Sequence, residues 1–242
     1  MFRIFIFAAL LAGVGAGLLL TGVQQWQVTP LILAAEKFEA PAEAQHSHEA
    51  PAHSHEQAHE HDAGAWSPAE GAERIVFTLF SNVLAGIGFA LVMLAGMNLR
   101  GHSGWQKGLL WGLAGYLVFF IAPSLGLHPK VPGTAGAPLA EQQLWWISTV
   151  AVSAAGLALL AFGRSLLLRA MAIVLLAMPH IFGAPLPEVA SSLVPLQLSN
   201  DFILATTIAN AIFWIVLGSL AGQFLQFFMR PPLSTADSFA NS

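Results

Sequence analysis

The residues of this chain best suited to chemistry are crowded into one short stretch. Six of its nine histidines lie between His46 and His61, as three His-x-His pairs: His46/His48, His53/His55 and His59/His61. In an extended chain, residues two apart project to the same side, so each pair can close on one ion. Glu49, Glu56, Glu60 and Asp62 are interleaved with the pairs and add oxygen ligands and negative charge. Neutral imidazole suits Zn, Cu, Fe and Ni, and by extension Co(II), but suits Mg or Ca poorly. The stretch reads as a collector of divalent transition metals, with Co(II), Ni(II) and Zn(II) all open. A solvated linker with idle histidines does not account for their density and pairing.

One match inside the stretch misleads. His55-Glu56-Gln57-Ala58-His59 fits the H-E-x-x-H pattern of zinc proteases, which needs a stable helix to bring both rings to one face. Here it lies between Pro51 and Pro68, where alternating His and Glu produce such matches by chance. Elsewhere there is no G-x-x-x-x-G-K-[ST] phosphate loop and no G-x-S-x-G elbow. Cysteine is absent, which excludes disulfides and thiolate chemistry. The chain does not read as an enzyme.

The elements that must position these residues are membrane spans. Hydrophobic residues make up 56% of the 242 positions and charged residues 9%, and the mean hydropathy is +0.67. A soluble domain carries about 25% charged residues, so this surface faces a lipid bilayer. The net charge of −4 argues against nucleic acid, which requires a basic surface. Six apolar segments stand out, at 4–23, 75–97, 108–122, 145–162, 166–178 and 202–228. The third and fifth are short for a span of about 20 residues and end at Pro123 and Pro179. The expected fold is all-α: a polytopic bundle of about six transmembrane helices with a flexible His-rich extracytoplasmic loop. Residues 1–23 form the first helix, 24–74 the loop, 75–230 a five-helix region and 231–242 a disordered tail.

The first segment resembles a signal peptide behind Arg3, but its apolar run is too long and no small-x-small cleavage site follows. Gly13, Ala16 and Gly17 give it a small-residue face for close helix packing. The stretch after Phe38 has almost no large apolar residues, so it cannot offset the entropy of ordering. With the N-terminus inside, Arg3, Arg100, Lys107, Arg164, Arg169 and Arg230 face the cytoplasm against Lys37, Arg74 and Lys130 outside. This excess sets the orientation: both termini in the cytoplasm and the histidine loop outside, in a bacterial inner membrane.

Beneath the loop the chain offers weaker candidates. Pro123 to Pro129, containing Gly126 and His128, resembles Pro179 to Pro185, containing His180 and Gly183. Both follow a short outward helix, so segments two–three and four–five read as a weak parallel repeat. Pro/Gly-broken segments in matching positions often mark a transporter's substrate site; the plainer reading is that proline stops each helix at the interface. Asn82 and Asn210 are the strongest polar residues within spans. They are pathway candidates beside the commoner reading of interhelical hydrogen bonds. Met93 and Met97 share a helix face and read as packing. Asp201, just before the last span, reads as a partner for a helix N-terminus.

Taken in order, the motifs resemble the CbtA family, a proposed cobalt transporter subunit associated with cobalamin-related genes. The resemblance rests on the Met-Phe-Arg opening and outer His loop, then Ala122-Pro123-Ser124-Leu125-Gly126-Leu127 and Gln143-Leu144-Trp145-Trp146 with Thr149. Gly156-Leu157-Ala158-Leu159-Leu160, Pro179-His180 with Gly183-Ala184-Pro185, and Asn210-Ala211-Ile212-Phe213-Trp214 complete it. It implies cobalt as cargo and a small single-span partner, CbtB, with its own histidine-rich end. One departure bears on the site: where the resemblance implies a carboxylate after His128-Pro129, this chain has Lys130, which repels a cation. The expected function is the membrane subunit of a divalent transition-metal uptake transporter. Its rival is a non-transporting metal-binding membrane protein such as a sensor, chaperone or assembly factor.

Overall fold

The computed structural model describes residues 2–46, 68–69, 71–187 and 193–229. Every regular element among them is a helix. The first helix is longer than the apolar run that starts it. α1 (Phe2–Val23) passes through a π-helical turn (Gln24–Val28) into α2 (Thr29–His46), whereas the sequence reading begins the loop at Gln24. Two causes are visible. Residues 31–39 are rich in Leu, Ala, Glu and Lys, which favour helix, and α2 buries Val28's neighbour face through Ala35, with Leu31 and Ile32 packed against the core. The loop's first histidine, His46, is therefore the last residue of a helix.

The π turn has a cause in the sequence. Pro30 has no N–H to donate, and its ring clashes with the carbonyl four residues back. Widening the preceding turn relieves that clash, and the Thr29 N–H bonds to the Gln24 carbonyl instead. The same arrangement recurs after α4 (Trp105–Tyr116). A π turn (Leu117–Ile121) precedes Ala122 and Pro123, and the Ala122 N–H bonds to the Leu117 carbonyl. The short α5 (Ala122–Ser124) then ends the outward run.

Glycine sets how the spans meet. α3 (Ala72–Leu99) runs antiparallel to α1. A Cβ on Gly13 would lie 2.4 Å from the Ile87 nitrogen and one on Gly17 2.7 Å from Val83 Cα, so the small-residue face of α1 does what its composition suggests. A tighter contact joins α4 to α8 (Leu196–Met229). A Cβ on Gly108 would sit 2.1 Å from the Gly218 carbonyl oxygen, and one on Gly222 2.3 Å from that of Gly104. The Gly104 N–H also donates to the Gly222 carbonyl at 2.9 Å. The core between α1, α3 and α8 is closed by fully buried Leu94, Met97, Leu217 and Leu225, with Met93 beside them. Both methionines are packing residues.

α6 (Leu139–Phe162) and α7 (Leu166–Phe182) form a separate antiparallel hairpin. It touches the rest through α5 and the second π turn. The two outward hairpins are thus built differently: α6 packs closely on α7, while α3 and α4 each lean mainly on another helix, so the expected repeat does not extend to packing. Five helical stretches are long and apolar enough to cross a membrane, and α7, with 17 residues, is shorter. Its length is about 25 Å against a hydrocarbon core of about 30 Å. α8 begins at Leu196, so Asp201 lies in its second turn rather than ahead of its start.

Candidate functional site

The first π turn and its neighbours build a polar layer inside the apolar bundle. Asn82 of α3 donates from Nδ2 to Thr21 Oγ1 at 3.0 Å and to Gln24 Oε1 at 2.7 Å. Thr21 in turn donates to the Gly17 carbonyl at 2.9 Å. On α8, Asn210 Nδ2 donates to the Thr206 carbonyl at 3.0 Å, and Tyr116 of α4 donates to the Thr207 carbonyl at 3.1 Å. The π turn packs against α8. The contact of Gly15 with Leu220 sets their antiparallel register, which brings Gln27 level with the turn that holds Thr206 and Asn210.

Two oxygens in this layer lack a donor. Gln27 Oε1 and Thr206 Oγ1 are buried with no hydrogen-bond partner among the described residues. In a membrane interior such a group costs free energy, so its retention needs a reason. Amide and hydroxyl oxygens can replace part of a cation's hydration shell, and being uncharged they bind it weakly enough to release it. That is chemistry for passage rather than storage. The asparagines were legible because an amide interrupts an apolar run. Thr21, Gln24, Gln27 and Thr206 were missed; the signal that could have found the first three is Pro30, which marks the widened turn.

A second group lies at the loop end of the bundle. The two proline-broken helix ends converge on Trp145. A Cβ on Gly126 would fall 2.5 Å from the Trp145 ring and 3.0 Å from Ala184 Cβ. The His180 ring stands 6.4 Å from Trp145, edge to face. His180 and His128 are both exposed. His128 shares a recess of about 530 Å3 with Lys130, Gln142, Gln143 and Trp146. Lys130 Nζ donates to the Ala135 carbonyl at 2.9 Å, which holds its charge within the loop that lines this recess. Pro179 is buried on the face of α7 that meets α6, opposite Thr149 and Ser153. No hydrogen bond or ring contact joins this group to the polar layer among the described residues.

The histidine pairs themselves remain an expectation. His46 closes α2, while His48, His53, His55, His59 and His61 lie outside the described residues. Both flanks of that segment are tied together, because Arg74 in the first turn of α3 holds Glu36 of α2 at 2.5 Å. Ten further helical residues carry His46 about 15 Å beyond that ion pair. Among the described residues no three His, Asp or Glu side chains group as metal ligands.

The apolar helices define a multi-pass α-helical membrane protein. The chain belongs to the CbtA family: the family model, described as a probable cobalt transporter subunit, matches residues 2–226. No curated protein and no solved structure matches it.

Proposed function

We propose that this chain is the membrane subunit of a Co(II) uptake transporter, with Ni(II) a second cargo and Zn(II) a competitor for the same imidazoles. The histidine pairs of residues 46–62 collect ions on the outer side of a bacterial inner membrane. His180 and His128 hold them briefly at the broken helix ends, and the layer around Asn82 and Asn210 passes them inward. The single observation that supports this most is the pair of buried oxygens without a hydrogen-bond partner among the described residues, Gln27 Oε1 and Thr206 Oγ1, beside the hydrogen-bonded amides of Asn82 and Asn210. Gln27 lies in the π turn that leads into α2 and so toward the histidine loop. A dication moving inward at 100 mV gains about 4.6 kcal/mol, so no nucleotide is required. A small single-span subunit of the CbtB kind completes the system.

The test is accumulation of labelled Co(II) in proteoliposomes with an inside-negative potential, with and without that subunit. Uptake above empty vesicles is expected in at least one preparation. If neither exceeds them, transport fails as a reading and a non-transporting metal-binding role takes its place.

A further inference from the structure

At the end opposite the histidine loop, a crevice of about 400 Å3 separates the α6–α7 hairpin from α3 and α4. Met93, Trp111, Leu157 and Phe162 wall it, and Trp214 lies at its floor. Only two of its lining residues carry ionisable groups, His102 and Lys107, and both stand at the start of α4. A slot of this size is within the range of small-molecule sites, about 300–1,000 Å3, yet its walls have almost nothing to orient a polar ligand.

The polar end is specific. Trp111 Nε1 donates to His102 Nδ1 at 3.0 Å. A ring nitrogen that accepts carries no proton, so the neutral imidazole is protonated at Nε2, and that N–H has no partner among the described residues. The Lys107 ammonium likewise has none. Arg100 lies 3.5 Å over the ring of Phe162, itself a wall residue. The turns that form this end, residues 99–105 and 163–165, contain no Asp or Glu. Hydrogen-bond donors and cations gather at the mouth of an apolar slot, with no protein anion to meet them among the described residues.

We infer that the crevice binds one acyl chain of an anionic phospholipid, whose phosphate sits between the Lys107 ammonium and the His102 Nε2–H. Basic pockets between spans recognise anionic headgroups in this way. A zwitterionic lipid would fill the slot but bring no net charge. An apolar helix from another subunit would fill it and leave Lys107 unmatched, so charge complementarity favours the lipid. Trp111 fixes the imidazole's tautomer, which makes His102 a donor toward the headgroup rather than a metal ligand.

The experiment uses the full chain in detergent, incubated with phosphatidylglycerol or phosphatidylcholine of identical chains that carry a photoactivatable group near the chain end. Retained lipid is counted by native mass spectrometry and crosslinks are mapped. Phosphatidylglycerol should be preferred, with crosslinks on both the α4 and α6 walls. Lys107→Gln should cut that preference about fivefold, the equivalent of about 1 kcal/mol per cation, without changing the elution of the protein on gel filtration. Ala158→Phe, which fills the slot, should remove wall crosslinks for both lipids, and glycerol phosphate without chains should not compete. Equal retention of the two lipids, or crosslinks spread over every lipid-facing helix, would mean ordinary boundary lipid and overturn the proposal. Loss of wall crosslinks when the single-span subunit is added, with that subunit crosslinking instead, would overturn it in favour of a protein occupant.

Discussion

Asn82 donates both amide hydrogens across the α1–α3 interface, one to Thr21 Oγ1 and one to Gln24 Oε1. Interhelical hydrogen bonds in membrane proteins average about 0.6 kcal/mol and reach about 1.7. Asn82→Leu should therefore lower stability by about 1–2 kcal/mol, read as unfolding in mixed detergent. Gln27 is the contrasting case, because its Oε1 has no donor to lose. Gln27→Leu removes a buried unpartnered oxygen, a relief of about 1–3 kcal/mol, so it should be neutral or stabilising in the same assay while slowing Co(II) uptake. Equal losses of stability in the two variants would reduce the polar layer to a structural glue. Thr149 gives a third reading, since its hydroxyl is fully buried and unbonded. Removing an unsatisfied group relieves a penalty of about 1–3 kcal/mol, so Thr149→Val should be neutral or stabilising in the same assay. The asparagines could be found in the sequence because they stand within apolar runs. Gln24 and Gln27 could not, because they follow the run and read as the beginning of a loop.

The elements were legible where apolar length decides them and illegible where backbone geometry does. Six apolar segments became six helices or helix pairs, with boundaries moved most at α2, where helix formers extend past the apolar run, and at the start of α8. The two π turns follow from Pro30 and Pro123 acting on the turn before them, an effect that hydropathy does not register. The α4–α8 contact is likewise hidden in composition: Gly104, Gly108 and Gly112 recur every fourth residue, and their partners Gly218 and Gly222 are far along the chain. Backbone there lies against backbone, with no flexible side chain to yield. Gly112→Val places a branched side chain where even a Cβ would be 2.2 Å from the Trp214 carbonyl oxygen. Overpacking of this kind costs about 1–3 kcal/mol, and the variant should lose that much stability or fail to accumulate in the membrane. Gly88 is the control. A Cβ there meets nothing within 4 Å, and Gly88→Ala should be neutral or gain up to about 1 kcal/mol from helix propensity.

At the scale of the molecule, the helices alternate in direction so that Arg100, Lys107, Arg164 and Arg169 gather at one end and Arg74 and Lys130 at the other. α2 ends at the first histidine, His46, and the Glu36–Arg74 ion pair joins α2 to the foot of α3 at the second end. In the proposed function, ions collected by the His-x-His pairs raise the local concentration over the bundle, and the rate of crossing belongs to the polar layer below. Deleting residues 46–62 should therefore raise the Co(II) concentration needed for half-maximal uptake and leave the maximal rate near that of the parent. Dissipating the membrane potential should act the other way, lowering accumulation at every concentration, because a dication loses roughly a thousandfold of driving force with each 100 mV. An abolished maximal rate at saturating metal in the deletion variant would place the pathway in the loop and remove the polar layer from the mechanism. Uptake indifferent to the potential would instead require a coupled ion.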